Sequence, residues 1–189
     1  MTTLPTTAVN TPEGMEVATL GAGCFWCTEA VFQKLKGVVQ VRSGFSGGHV
    51  TDPSYKLLVT GTTGHAEVVQ VHFDPKVVSF EDLLAVFFVI HDPTTLNRQG
   101  ADVGPQYRSA IFYHTLEQQQ IAQRLIDRLQ QERAFEEPIV TEVTAFANFY
   151  PAEDYHTNYF ELNGTQPYCQ FVVRPKVEKF KKMFGDQLK

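Results

Sequence analysis

One α+β domain, two layers deep, with helices packed on a central mixed sheet, is the fold class this sequence predicts. Three observations lead there. Apolar residues repeat with period 2 in some segments and period 3.6 in others, and the two kinds alternate along the chain. The helical segments are few and their spacings uneven. No internal repeat and no linker with a shift in composition divides the 189 residues, a length that suits one sizeable core.

Taken in order, residues 1–15 are rich in Thr and Pro and are expected to be flexible, leaving 16–189 as the folded domain. Residues 17–20 read as a short strand. Gly21, Ala22 and Gly23 let the backbone turn sharply after it. Ala30, Val31 and Leu35 then recur at helical spacing and Gly37 ends the run, which predicts a helix over 24–36. Residues 38–43 read as a strand, and the glycines of 44–49 as a loop. The polar stretch 50–65 has mixed character. A clearer strand, 68–73, is stopped by Asp74-Pro75.

Ser79, with Asp82 three residues on, opens a helix to about His91. It contains the longest apolar run, 83–90, too short to span a bilayer. Residues 92–107 lack periodicity and read as a long polar loop, a feature that is often functional. After a strand at 109–114, Thr115 caps a helix to about Arg133 with an apolar stripe of Leu116, Ile121, Leu125, Ile126 and Leu129. A strand at 139–146, a short helix or turn at 150–162 and an amphipathic helix at 175–184 complete the chain.

Composition narrows the function. The chain is 43% hydrophobic and 20% charged, as in ordinary soluble globular proteins, and its aromatic content is high at 12%. A net charge of -5, with no basic cluster among aromatics, argues against nucleic acid and against an anionic membrane surface. The N-terminus lacks the basic start and apolar centre of a secretory signal. Three cysteines are too few for a disulfide scaffold, so Cys24-x-x-Cys27 reads as redox or metal chemistry in a reducing compartment, the cytoplasm.

Residues three apart on a helix share a face, with Cα atoms ~5 Å apart, inside the range a disulfide tolerates. Cys24 lies nearer the positive end of the helix dipole and is expected to be the more acidic thiol, with Cys27 as the partner that resolves what Cys24 forms. Three other readings stand beside this one. The pair could be reduced core cysteines. It could supply half of a zinc site with Cys169 and a histidine, although nothing near Cys169 has ligand spacing. Or Cys24 and His156 could form a hydrolase pair, although Trp26 is at the wrong offset for the papain pattern.

Gly23-Cys24-Phe25-Trp26-Cys27 resembles the signature of the peptide methionine sulfoxide reductases of the A class. Ser43-Gly44-Phe45-Ser46-Gly47-Gly48, Tyr55, Gly64-His65-Ala66-Glu67, Asp92-Pro93-Thr94, the run from Asp102 to Ser109, and Tyr155-His156-x-x-Tyr159 follow in the family's order. The resemblance covers residues 17–184.

It implies that Cys24 attacks the sulfur of a methionine sulfoxide, free or in an oxidised protein, releases methionine and becomes a sulfenic acid. A second thiol then closes a disulfide, which thioredoxin or a similar dithiol reduces. It implies Glu67 as proton donor, Tyr55 and Tyr107 as phenol donors to the sulfoxide oxygen, and Phe25 and Trp26 as the aromatic pocket for the S-methyl group. Asp102 falls at the family's acidic loop position. The S epimer, the absence of a cofactor or metal, and a monomer are expected on the same ground.

The sequence departs from the family at two positions. Cys27 stands where glycine is common, and a subset with cysteine there resolves the sulfenic acid with it. Phe45 stands where tyrosine is usual, in a loop expected to lie outside the site. Cys169 resembles the C-terminal resolving position, but its surroundings are not the usual glycine-rich tail, and the β-branched residues after it point to a strand start. The expected order of resolving thiols is Cys27, then Cys169, with a relay through both as a third route.

Overall fold

In the computed structural model residues 11–189 are described, so most of the segment expected to be flexible lies outside the described residues. Along the chain come β1 (Glu16–Ala22), α1 (Phe25–Phe32), β2 (Val38–Ser46), α2 (Tyr55–Leu58), β3 (Ala66–Phe73) and α3 (Phe80–Ile90). A small ribbon, β4 (Arg98–Gln99) and β5 (Asp102–Val103), precedes β6 (Ser109–Tyr113) and α4 (Leu116–Gln131). Then follow β7 (Glu142–Ala145), β8 (Tyr150–Pro151), α5 (Tyr159–Asn163) and α6 (Arg174–Met183).

The six-stranded sheet has the order β7-β6-β1-β3-β2-β8. Among the described residues only the β6–β7 pair is parallel, so the sheet is mixed as expected. β1 is hydrogen-bonded on both sides, Leu20 facing Val69 of β3 and Ile111 of β6.

Alternation along the strands decides which side chains meet the helices. Ala18, Leu20 and Ala22 of β1, and Val69, Val71 and Phe73 of β3, join the main core with α1, α3 and α6. Glu67 has the same parity as Val69, so its carboxyl is carried to this helix-covered face. The opposite face holds a smaller cluster of Ala66, Val68, Ala110, Phe112, Phe146 and Phe149.

The N-terminus of α3 is closed by the expected capping box: Ser79 accepts from the Asp82 N–H at 3.0 Å and the Asp82 carboxylate accepts from the Ser79 N–H at 3.1 Å. Such a cap contributes roughly 1 kcal/mol. Thr115 caps α4 by accepting from Gln118 N–H at 3.1 Å.

Several expectations are corrected. β2 continues through Gly44 to Ser46, where the glycines predict a loop. A Cβ at Gly44 would lie 2.5 Å from the Phe149 ring, so this glycine serves close packing within a strand. α1 stops at Phe32, and residues 34–36 instead bond the returning C-terminus, through Lys36 N–H to Gln187 and Lys189 N–H to Lys34. Leu116 is 71% exposed and stands outside the buried stripe, at the first position of α4. The strand predicted at 139–146 pairs only over Glu142–Ala145. Cys169 begins no strand. It opens a π-turn, Cys169–Val173, that runs straight into α6 and buries Cys169 and Val173 against the core.

His91, at the end of α3, is buried with Nδ1 donating to the Phe87 carbonyl and Nε2 accepting from the Ser109 hydroxyl at 2.7 Å. Burial pushes its pKa from 6.5 down to about 4. Folding therefore favours the neutral ring. Its contribution to stability is complete above about pH 6.5 and is lost as the pH falls toward 4. The drop in urea midpoint between pH 7 and pH 5 should be smaller in His91→Gln than in the parent. Equal drops would mean that His91 gains no proton on unfolding over that range.

Candidate active site

β1 delivers the chain to Gly23, whose φ of 86° lies in the left-handed region. A Cβ there would sit 2.6 Å from Cγ of Gln99, so both conformation and space exclude a side chain. The turn leaves Cys24 as the N-cap of α1, with extended backbone at φ -60° and ψ 123°. The expected place inside the first helical turn is thus off by one residue. Cys27 lies one turn along and donates its N–H to the Cys24 carbonyl at 3.2 Å.

Both thiols are buried and free. The helix start does not make Cys24 the acidic thiol that its position predicts. Burial pushes the Cys24 thiol well above its usual range, helped by its hydrogen bond to Cys27 and the nearby Cys27 charge. Contacts with the Tyr168 hydroxyl and the Trp26 N–H pull the other way. Cys27 is lowered because it accepts the Cys24 hydrogen bond. Removing Cys24 from water outweighs what the start of an eight-residue helix offers it.

Glu67 is only 1% exposed. Its Oε1 accepts the Phe25 N–H at 3.2 Å, and its Oε2 has no hydrogen-bond partner among the described residues. Burial first, and then the charges of Cys24 and Asp102, push the carboxyl well above the usual carboxylate range. Burial thus biases Glu67 toward its protonated form, and it has an oxygen to spare.

Tyr55 is the first residue of α2, where Ser54 accepts from Leu57 N–H and Glu153 accepts from Tyr55 N–H at 2.9 Å. Tyr107 ends a 3-10 turn, Pro105–Tyr107. Burial, followed by the charge of Glu67, raises both phenols, so each remains an O–H donor. Asp102, on β5, accepts from the Tyr168 hydroxyl at 2.7 Å. Cys169 is fully buried, and its thiol is raised by burial and by the charge of Cys24. All the side chains singled out in the sequence thus converge on one region.

The aromatic wall is larger than Phe25 and Trp26. The Phe25 ring lies 5.1 Å from His156, 5.8 Å from Phe45 and 6.1 Å from Tyr55. Phe45 is therefore beside the site, which corrects its expected place outside it. Trp26 stacks on Tyr159 at 3.8 Å and 8°, and meets Tyr168 edge-on at 5.6 Å.

The sequence offers His156 only as the partner of Cys24 in a hydrolase pair, whereas its Nδ1 accepts the Trp26 indole N–H at 3.0 Å. Burial keeps the ring neutral, so its proton is on Nε2, 3.8 Å from Glu153. The signal available was the buried indole N–H of Trp26, which needs an acceptor. Tyr168 carries no signal in the sequence beyond its place next to Cys169. Glu29 was also missed. It accepts from Ser43 Oγ at 3.2 Å and from the Asn158 N–H at 2.6 Å, tying α1 to β2 and to the start of α5.

The zinc and hydrolase readings do not gather their parts. Among the described residues no group of three or more His, Cys, Asp or Glu side chains stands ready to hold a metal ion. His156 addresses Trp26 and Glu153 rather than Cys24. What the site can do is attack through sulfur, protonate an oxygen on the attacked atom, and then close an S–S bond with a neighbouring thiol.

Comparison with known proteins points the same way. The family model described as peptide methionine sulfoxide reductase matches residues 16–188. The chain is 54% identical over 175 residues to the peptide methionine sulfoxide reductase MsrA of Saccharolobus solfataricus, covering 93% of this chain and 98% of that one. It is similar to the reduced form of Mxr1 from Saccharomyces cerevisiae, with a TM-score of 0.80 and 34% identity over 88% of this chain and 96% of that chain. It also resembles Mxr1 in a complex with Trx2, with a TM-score of 0.57 and 26% identity over 81% and 91% of the two chains.

Proposed function

The chain belongs to the peptide methionine sulfoxide reductase family, and from that premise we propose the route by which this enzyme reduces its substrate and is restored. The Cys24 thiolate attacks the sulfur of the S epimer of methionine sulfoxide, free or in an oxidised protein. Glu67 supplies a proton to the sulfoxide oxygen, with Tyr55 and Tyr107 donating hydrogen bonds to it. Oxygen passes to Cys24 as a sulfenic acid, and methionine leaves. A second thiol condenses with the sulfenic acid, forming a disulfide and releasing water. A dithiol of the thioredoxin type exchanges with that disulfide and leaves oxidised.

The observation that carries this reading is Glu67, a buried acid whose carboxyl is pushed well above the usual carboxylate range beside a buried thiol, with one oxygen unpartnered among the described residues. A structural carboxyl so deep in a core would be paired instead. The rings of Phe25 and Trp26 suit an apolar S-methyl group, and Asp102 orders Tyr168 beside Cys24. The relative Mxr1, solved with Trx2, supports a thioredoxin as the reductant. Among the described residues no helix is long and apolar enough to cross a membrane. The reading includes a cytoplasmic, monomeric repair enzyme whose catalytic domain is 16–189.

Cys27 is proposed as the first resolving thiol, because it is already hydrogen-bonded to Cys24 within one helical turn. Cys169 comes second, and a relay through both remains part of the scheme. Mass spectrometry after one equivalent of substrate should find a Cys24–Cys27 disulfide. Cys27→Ser should still release one methionine per chain while thioredoxin-driven turnover slows. Unchanged recycling would make Cys169 the main resolver. Turnover of the R epimer at the rate of the S epimer would remove the stereochemical assignment.

A further inference from the structure

We propose that the groove between α3, the end of α4 and α6 holds the extended, apolar polypeptide that flanks a methionine sulfoxide in an oxidised protein. This rests on the reductase reading of the site. The groove encloses about 1330 Å³. Val89, Leu129, Phe135, Val172 and Phe184 give it an apolar floor. At its rim Phe171 is 81% exposed and Met183 55%. Its head is formed by Asp102 and Tyr168, the pair joined at 2.7 Å whose phenol also touches the Cys24 thiol. The groove and the reacting sulfur are therefore separated by one side chain.

That continuity selects the occupant. A methionine sulfoxide inside a polypeptide brings its neighbours to the surface beside the site. Methionine is a core-filling residue, and its oxidation disrupts cores, so those neighbours are often apolar and newly exposed. Arg128, Lys176 and Lys179 line it together with Asp92, Glu136 and Glu137, so no single charge would dominate recognition. A concave apolar floor suits an extended chain, with main chain along the groove and alternate side chains on the floor. A globular reductant would meet the rim at Phe171 but not the floor at Leu129.

The test compares N-acetyl-methionine sulfoxide with two peptides carrying a single methionine sulfoxide, one flanked by Leu and Phe and one by Ser, all with dithiothreitol as reductant. The parent should favour the apolar peptide. Leu129→Glu on the floor and Phe171→Glu on the rim should raise KM for that peptide by about tenfold, with kcat and N-acetyl-methionine sulfoxide turnover unchanged. Phe171 is exposed enough that its substitution leaves the fold intact. A parent that reduces all three substrates equally well overturns the groove and leaves the catalytic reading standing. A parent inactive on N-acetyl-methionine sulfoxide overturns the catalytic reading itself. An unchanged preference in both variants, or a loss confined to thioredoxin-driven turnover, also overturns the proposal, the last because it would make the groove a reductant site.

Discussion

Cys24→Ser protein should reduce no methionine sulfoxide with any reductant, a fall of more than about a thousandfold. A serine hydroxyl neither ionises near neutral pH nor takes up the sulfoxide oxygen, so the first step has no acceptor. The position makes the experiment clean. Cys24 is the N-cap of α1 and makes no side-chain capping bond there. Serine is among the preferred residues at an N-cap, so the variant should melt no lower than its parent. Lost activity then cannot be assigned to unfolding. Turnover that persists with dithiothreitol would remove Cys24 from the reaction.

Glu67→Gln should slow single-turnover reduction by about 10²- to 10⁴-fold, the range for loss of a positioned acid. The amide oxygen can still accept the Phe25 N–H that Glu67 accepts at 3.2 Å, so the local frame is kept. What is lost is the proton. The pH profile separates this from a packing defect. Attack needs Cys24 deprotonated and Glu67 protonated, and both groups are raised by burial. In the parent the rate should rise with pH as Cys24 ionises and fall as Glu67 does. In Glu67→Gln the falling limb should vanish, leaving a rate that only rises. A variant with the parent's single-turnover rate would take Glu67 out of the proton-donor role.

Elements with strong local signals were legible in the sequence. The Ser79 capping box, the Thr115 cap and the period-2 run in β3 all specify their structure within a few residues. Tertiary contacts decided the rest. Gly44 reads as a loop residue, yet it lies in β2 because Phe149, more than a hundred residues away, packs onto it. The residues after Cys169 look strand-like by branching, but Val173 and Val177 bury against the core from a helical run. The site shows the same division. Cys24, Phe25 and Trp26 are contiguous and easily seen together. The role of His156 depends on a hydrogen bond spanning 130 positions, and the high pKa of Cys24 on burial by the whole fold. A dipole argument from one helix could not weigh that.

The chain has a single tryptophan, and it is Trp26. Its indole is stacked on Tyr159 and bonded to His156, both from the C-terminal third, while its backbone belongs to the helix that begins beside the reacting cysteine. The molecule thus carries its own optical reporter. Any redox state that draws the C-terminal segment away from α1 alters the surroundings of the one emitting indole. Such a state would show in the intrinsic fluorescence, with no label and no background from other tryptophans.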